Sequence, residues 1–427
     1  MTQDKEGDHG NIPWAEPAWH GRLPSPHYSD SHRRLQSYCR NFIDTNIFPH
    51  MMEWEAMGSC PRETSLKYVA SGLAFLDVPI RYRPEHLRHI AGIPIEQIDA
   101  FHRMIVMDET ARIAGGCIHA LEGASSIGAA PVIDYGTELQ QRRWLPSLFT
   151  WETSFCLGVT EVNAGSDISG IATVAIPSMD ETHYEVTGSK KWVAGGRWAT
   201  HMTTLVRTGQ LPTDLSLLVI PLKNPGVSID RIQSQGYCAA GLSWIHLNKV
   251  KVPADHLIGK RDKGIPLIFN NFVKERLIGA VCSNRRSRLC LSLAIAHAYQ
   301  RKTFGRPIAT RSIVQYRLSR LAQLIEQHWA FLEHVVFAIE KDGWQSSQVI
   351  AAIASAKSTG GRMLELTANR AQLTFGSSGF ERGKSSSGLV EMISREVKCA
   401  QIGGGTEEIL AKVIWRESHK AYGNNKL

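Results

Sequence analysis

Residues 266–308, PLIFNNFVKERLIGAVCSNRRSRLCLSLAIAHAYQRKTFGRPI, decide how the chain is read. The run is apolar at helical spacing and predicts one long helix. Gly264 and Pro266 mark its start, and Gly305 and Pro307 mark its stop. Two features lie near its ends. One is Lys274-Glu275-Arg276, an acid between two bases in an apolar run; the other is Arg301-Lys302-Thr303-Phe304-Gly305. Glu275 and Arg301 are 26 residues apart, roughly 39 Å at the helical rise. One small ligand does not use both ends, so if both are functional they serve different sites, as in neighbouring subunits. Taken alone, Glu275 reads as a helix-surface carboxylate paired with Lys or Arg.

The remaining composition bounds the class. A chain of 427 residues suggests about three domains of ordinary size. With 43% hydrophobic and 21% charged residues it has material for a large core. Its longest apolar runs, such as Leu215 to Leu222, are too short to span a bilayer. The net charge of +8 is not gathered into a long basic run, so nucleic acid is not an expected partner; the excess suits anionic small molecules or a basic surface. Eight cysteines, at 39, 60, 117, 156, 238, 282, 290 and 399, form no C-x-x-C or zinc spacing, which predicts free thiols in a reducing compartment. The histidines form no H-E-x-x-H, so no metal site is expected. Asn425-Lys426-Leu427 is a loose variant of the peroxisomal S-K-L address, and the expected location is cytoplasmic or peroxisomal.

Four segments follow in order. Residues 1–26 are polar with four prolines and read as a poorly ordered tail or a wrapping arm. Residues 27–150 are helical. Leu35, Cys39, Phe42 and Ile43 share a face; further helices cover Glu63 to Phe75 and the stretch after Pro94 towards Ala111; small residues fill Ala114 to Ala130. In residues 151–262 the period changes. Phe155 to Thr160, Tyr184 to Val186, Thr203 to Val206, Ser216 to Pro221 and Trp244 to Val252 read as short strands of an antiparallel β domain. Residues 263–427 return to helix as a bundle of four or five, with stripes such as Leu318, Leu321, Leu324 and Ile325.

This layout resembles the acyl-CoA dehydrogenase superfamily of flavoenzymes. Arg301-Lys302-Thr303-Phe304-Gly305 looks like that family's Arg-x-x-Phe-Gly signature. The Glu275-Arg276 pair is similar to the members that carry their base on this helix, as isovaleryl-CoA and long-chain acyl-CoA dehydrogenases do. The resemblance implies a mainly α fold with a central β domain: an N-terminal helical domain, a small β-barrel domain and a C-terminal helical bundle. It is strongest from Asp134 to Glu417, and rests on pattern alone in the N-terminal third. It also implies FAD as cofactor and a homodimer or homotetramer, since Arg301, Thr303 and Phe304 reach a flavin held mainly by the partner subunit.

Further motifs carry the flavin reading. Thr160-Glu161-Val162-Asn163-Ala164-Gly165-Ser166-Asp167 resembles the family's T-E-P-x-A-G-S-D, with Val162 in place of Pro. A loop of small hydroxyl residues with free N–H groups suits a phosphate or a flavin edge. The resemblance places Thr160 on the isoalloxazine and Ser166 on the pyrophosphate. Gly188 to Gly196 is similar to G-x-K-x-W-I-T-N-G, with Trp192 shielding one flavin face. Ala194 and Gly195 replace the usual Thr/Ser and Asn, so Ala194 offers an N–H but no hydroxyl. Phe375-Gly376-Ser377-Ser378-Gly379 resembles F-G-G-x-G at the adenine half of the partner's FAD; the family Gln falls on Leu373, with Gln372 one place early. The following GFERGKS is not a P-loop, because Ser378 stands where its first Gly is required.

Gln401 to Ile409 resembles Q-I-Y-E-G-T-x-x-I, whose Glu is the base in many members. Here that position is Gly404, and members with Gly there usually carry the base at the position of Glu275. Thr406 is an expected N-cap with Glu407 and Glu408 in the first helical turn, near a polarised carbonyl or flavin phosphate. The implied chemistry is α,β-dehydrogenation of an acyl-CoA: Glu275 takes the α proton, Arg276 and Gly404 belong to the substrate site, and a hydride goes to flavin N5. Burial is expected to raise the Glu275 pKa, with Lys274 and Arg276 pulling it down. The acceptor is an electron-transfer flavoprotein or dioxygen. Two alternatives stand. Arg285, Arg286 and Arg288 in the middle of the helix bind an anion, a free carboxylate or CoA phosphates, or form a solvated face, and a free carboxylate there suits a CoA-independent flavin oxidase or monooxygenase acting on a small acidic, nitro or amino metabolite. The other is a relative without turnover.

Overall fold

The computed structural model describes residues 12–423. The first helices are α1 (Asp30–Asn46), α2 (Met51–Met57) and α3 (Arg62–Ala70). A hairpin of β1 (His89–Ile90) and β2 (Ile93–Pro94) precedes α4 (Ala100–Thr110). The expected helix after Pro94 therefore starts later: Ile95–Gln97 is a 3-10 turn, and Asp99 caps α4 by accepting the His102 N–H at 2.8 Å. Four short helices fill the small-residue stretch and its sequel: α5 (Cys117–Glu122), α6 (Ser125–Gly128), α7 (Ala130–Tyr135) and α8 (Glu138–Trp144). Thr137 caps α8 in a box with Gln140.

The middle strands are β3 (Phe155–Gly158), β4 (Val174–Pro177), β5 (His183–Val193), β6 (His201–Arg207), β7 (Leu215–Pro221), β8 (Val227–Arg231), β9 (Ser243–Pro253) and β10 (Leu257–Ile258). Their order is β10-β7-β6-β4-β5-β9-β8, with β3 also on β6. The sheet is mixed rather than antiparallel, because β3 and β4 both run parallel to β6. Neither is joined to β6 by a hairpin, so the tight-turn rule that forces antiparallel pairing does not apply. Val186, Met202, Val206, Leu218, Ile220, Ile245 and Val250 pack together as its core.

Then comes α9 (Gly264–Gln300), 37 residues in one helix. It stops five residues before the expected Gly305. The chain turns at Phe304 (φ 51°) and Gly305 (φ 76°) into a hairpin of β11 (Lys302–Thr303) and β12 (Arg306–Pro307). Consecutive left-handed residues make a hairpin turn and cannot continue a helix. The helices α10 (Ser312–Asp342), α11 (Ser347–Phe375), α12 (Ser386–Ile402) and α13 (Glu407–Gly423) complete the chain.

The chain divides into two compact units. One gathers the residues up to Arg40, Asp99–Ala114 and Arg276–Leu427; the other holds Asn41–Ile98 and Gly115–Glu275. In the first, the N-terminal arm packs down: Ala15 and Trp19 are buried, and Trp19 stacks on Tyr28 with centroids 4.0 Å apart. Residues 1–11 of the expected arm lie outside the described residues. Asn425-Lys426-Leu427 lies outside the described residues. All eight cysteines are free, and no helix among the described residues is long and apolar enough to cross a membrane.

Candidate active site

The unit containing the sheet carries Glu275 and the first two flavin motifs. Glu275 sits half-buried on α9. Its Oε1 accepts a hydrogen bond from Asn271 Nδ2 at 2.9 Å, one helical turn earlier, and the same Nδ2 donates to the Ile127 carbonyl of α6 at 3.3 Å. The neighbouring Lys274 ammonium donates to both oxygens of Asp134, at 2.9 and 2.8 Å.

In the same unit Thr160 leads out of β3, and its carbonyl accepts the Lys191 N–H at 2.9 Å. That bond ties the Thr160 loop to the strand bearing Trp192. Beneath the loop, Glu161 accepts the N–H groups of Ala172 and Thr173 and the buried Lys190 ammonium, the last at 2.7 Å. Burial alone raises the Glu161 carboxyl, but Lys190 together with the Thr173 and Ala172 hydrogen bonds holds it below the usual range. Burial pulls Lys190 down to about 8 against the attraction of Glu161. The loop above stays open: Ser166 is exposed, and among the described residues the N–H groups of Gly165, Ser166 and Ala194 take no partner. The Trp192 ring is 49% exposed on a residue with φ 60°. Unpartnered amides beside an exposed aromatic face fit a phosphate-bearing planar ring system.

Gly195, which stands where the family motif has Asn, follows from packing. Its φ is 73°, and an added Cβ would lie 2.4 Å from the Gly123 carbonyl oxygen. No side chain fits there. Next to Gly123, Glu122 is buried, among the described residues has no cation paired with it, and accepts from the Ser126 hydroxyl. Burial pushes its carboxyl up to about 7. An unfolded carboxyl ionises near 4.5, so the folded state holds its proton longer and this group's contribution to stability falls as pH rises from about 4.5 to about 7. The full fall is on the order of 3 kcal/mol. Glu122→Gln, which needs no proton, is expected to remove it. Urea unfolding at pH 4.5 and pH 8 checks this; an unchanged pH dependence in the variant contradicts it.

The other unit carries the remaining candidates. The Arg276 Nε donates to the Gly404 carbonyl at 2.8 Å. Gly404 has φ 69°, and among the described residues its N–H takes no partner. Lys357 of α11 donates to the carbonyls of Gly405 (2.6 Å) and Gln401 (2.8 Å). Burial and the neighbouring Arg276 pull its ammonium down to about 8. Two cations thus hold three carbonyls of the Gln401–Gly405 segment and turn the loop's acceptors inward. Thr406 precedes α13, and the Glu408 carboxyl is kept below its usual range by its own backbone N–H and the Thr406 hydroxyl.

Arg301 closes the hairpin through its carbonyl, which accepts the Ile308 N–H at 2.8 Å. The Thr303 carbonyl accepts from Arg311. Phe304, at the tip, is 96% exposed. The Gln372 Nε2 donates to the Gly379 carbonyl at 2.9 Å, so its amide pins the loop that begins at Gly376, a residue with φ 68° and open space around a built Cβ.

The three mid-helix arginines are neither a ligand site nor a solvated face. Arg285, Arg286 and Arg288 are 1%, 6% and 0% exposed. Arg285 Nε donates to Asp108 at 2.9 Å and Nη1 to Glu16 at 2.8 Å. Arg286 pairs with Glu396 at 2.6 Å, and Arg288 donates to Glu326 at 2.6 Å. A buried guanidinium needs such partners, and these are already supplied within the unit. Burial alone would raise the Glu16 and Glu109 carboxyls, but the arginines around them hold both low.

Sequence reading missed Asn271 and Lys357, and quoted Glu161 and Lys190 without giving them roles. Asn271 was findable as the residue one turn before Glu275 on the same helix face. Lys357 is a lone cation in the small-residue run AAIASAKSTGG, 351–361, where an ammonium is unexpected without carbonyl partners.

Comparison with known proteins bears on the family and the fold. Residues 29–152, 156–250 and 262–419 match the N-terminal, middle and C-terminal domain models of acyl-CoA dehydrogenase. The chain is 36% identical over 422 residues to acyl-CoA dehydrogenase apdG of Emericella nidulans, covering 96% of each chain. It is 34% identical over 412 residues to acyl-CoA dehydrogenase AFT10-1 of Alternaria alternata, covering 94% of each. The fold matches the acyl-CoA dehydrogenase of Bacillus anthracis complexed with FAD, with a TM-score of 0.82 at 22% identity, over 95% of this chain and 69% of that one.

Proposed function

Because the chain belongs to the acyl-CoA dehydrogenase family, whose members are FAD-dependent oxidoreductases, we propose that it desaturates an acyl-CoA or related acyl thioester between Cα and Cβ, with Glu275 as base. One observation carries the assignment. Position 404 bears no side chain and its backbone is left-handed, whereas the Glu275 carboxylate is half-buried with one oxygen fixed by Asn271.

Thr160, Ser166, Trp192 and Ala194 are the residues of this chain that would hold FAD, with Arg301, Thr303, Phe304, Gln372 and Gly376 serving the FAD of a second copy. Bound FAD supplies the acceptor for the hydride that leaves Cβ. The chain's own part is acid–base and electrostatic. A thioester α C–H is weakly acidic until its carbonyl oxygen is polarised, and the unpartnered N–H of Gly404 is the donor assigned to that oxygen. Within their own unit, Arg276 and Lys357 hold the loop carbonyls and so fix the backbone that carries this N–H. Glu275 then accepts the α proton while the electron pair of the broken C–H bond becomes the double bond. The arginines that favoured a free acid, nitro or amino substrate are paired inside the fold and no longer speak for it.

Anaerobic titration with short, branched and long acyl-CoAs tests this reading. Bleaching of the flavin band by at least one thioester is expected; binding without bleaching by any of them would sink it. Reoxidation by air or by electron-transfer flavoprotein then identifies the acceptor, and sedimentation of the same holoenzyme at low concentration checks the proposed homodimer or homotetramer against a fully loaded monomer. The cytoplasmic or peroxisomal location is a separate proposal, tested by whether a tagged chain leaves peroxisomes when Leu427 is deleted.

A further inference from the structure

We propose that Asn271 is the positioning residue of the base: it fixes the Glu275 carboxylate through Oε1, directs the abstracted proton to Oε2, and keeps the carboxylate ionised. The inference rests on Glu275 being the base and deepens that reading.

The amide orientation of Asn271 is decided by its partners. One terminal atom faces the Ile127 carbonyl oxygen at 3.3 Å and Glu275 Oε1 at 2.9 Å. Both are acceptors, so that atom is the NH₂, and its two hydrogens match the two oxygens. An amide NH₂ has no lone pair to offer, so it stabilises a carboxylate and gives nothing to a carboxylic O–H. The bond therefore favours the ionised, proton-accepting form of Glu275. It also leaves a proton on Oε1 in conflict with an N–H, so Oε2 is the oxygen that takes it. Asn271 is itself 2% exposed, and its second hydrogen is anchored on α6 backbone. The anchor denies the amide the freedom to follow the carboxylate, which is what sets an orientation rather than merely satisfying a charge.

The flanking residues differ from Asn271 in kind, each being a cation with a bonded acceptor of its own. Lys274 donates to both oxygens of Asp134 of α7, and the Arg276 Nε donates to the Gly404 carbonyl. No other residue in the Lys274-Glu275-Arg276 triplet supplies a neutral donor of fixed direction.

The test reads the carboxyl itself in FAD-loaded enzyme. Infrared pH-difference spectra of wild type, with the Glu275 band identified by its loss in Glu275→Gln, give its titration midpoint without turnover. In Asn271→Leu the midpoint is expected to rise by about one pH unit, and flavin reduction by the best thioester of the panel is expected to slow about tenfold, with its acid limb shifted the same way. FAD content is expected to match wild type. Asn271→Asp, which keeps the shape, is expected to raise the midpoint further by like charge, and it serves if the Leu variant does not fold. An unmoved midpoint in the folded variants overturns the inference. The two readings fail separately: normal flavin reduction by Glu275→Gln removes the base assignment, whereas an inert Glu275→Gln beside an unmoved midpoint in the Asn271 variants removes only the role of Asn271.

Discussion

Replacing Glu275 with Gln is expected to slow anaerobic flavin reduction by about 10²–10⁴-fold, the usual cost of a missing general base. Gln keeps the size of the side chain, and its amide oxygen can still accept from Asn271, so the local structure has reason to survive. FAD content and ligand-induced changes in the flavin spectrum are expected to match wild type, because the candidate FAD residues of this chain lie on the Thr160 loop, the Trp192 turn and the Arg301 hairpin rather than at Glu275. Adding Gly404→Glu restores a carboxylate at the position commoner in the family. Recovery is expected to be partial. Space is not the obstacle, since a Cβ at 404 would sit 3.6 Å from Arg276 Cγ, an ordinary contact. The obstacle is the backbone: φ is 69° there, and an L side chain in that region costs roughly 1–2 kcal/mol. Relaxing it moves the N–H that the carbonyl oxygen needs. Stopped-flow absorbance of the single and double variants checks both statements.

Arg285→Met is expected to be the most damaging substitution away from the chemistry. Arg285 is buried among Asp108, Glu16 and Glu109, with Asp108 and Glu16 directly bonded to it. Met fills much of the volume but takes the guanidinium from Asp108, while Glu16 keeps Arg40 and Glu109 keeps Arg40 and Arg112. Breaking a buried ion pair from one side typically costs about 3–5 kcal/mol, because the surviving charge stays desolvated. Urea unfolding measures it, and a loss below about 1 kcal/mol contradicts the assignment of this cluster as the unit's charged core. The N-terminal arm is expected to loosen first, since Glu16 and the Ala15 carbonyl both bind Arg285. Limited proteolysis ahead of α1 reports that separately from global unfolding.

The same cluster shows where sequence reading ends. Helix α9 was legible because its apolar spacing, its proline start and its family signature lie within 43 consecutive residues. The fates of Arg285, Arg286 and Arg288 were not, because their carboxylates come from Glu16, Asp108, Glu326 and Glu396. A paired core arginine and an anion-binding one look alike until the distant partner is placed. Strand β8 was missed for a local reason: four of its five residues are exposed, so it has no alternating apolar face to read. At the site, the Thr160 and Gly404 motifs reappeared as loops, but the groups that hold those loops did not announce themselves. Glu161, Lys190 and Lys357 work through backbone carbonyls and amides, and a contact to backbone leaves no residue-type pattern in the sequence.

The central claim is that Glu275 removes the α proton. Hydrogen–deuterium exchange at the substrate α carbon in D₂O, followed by mass spectrometry of the recovered thioester, tests it most directly in wild type and Glu275→Gln at equal FAD occupancy. Solvent deuterium is expected to enter the α position with wild type and to enter at least about 10²-fold more slowly with the variant. Equal exchange in the two proteins would contradict the claim.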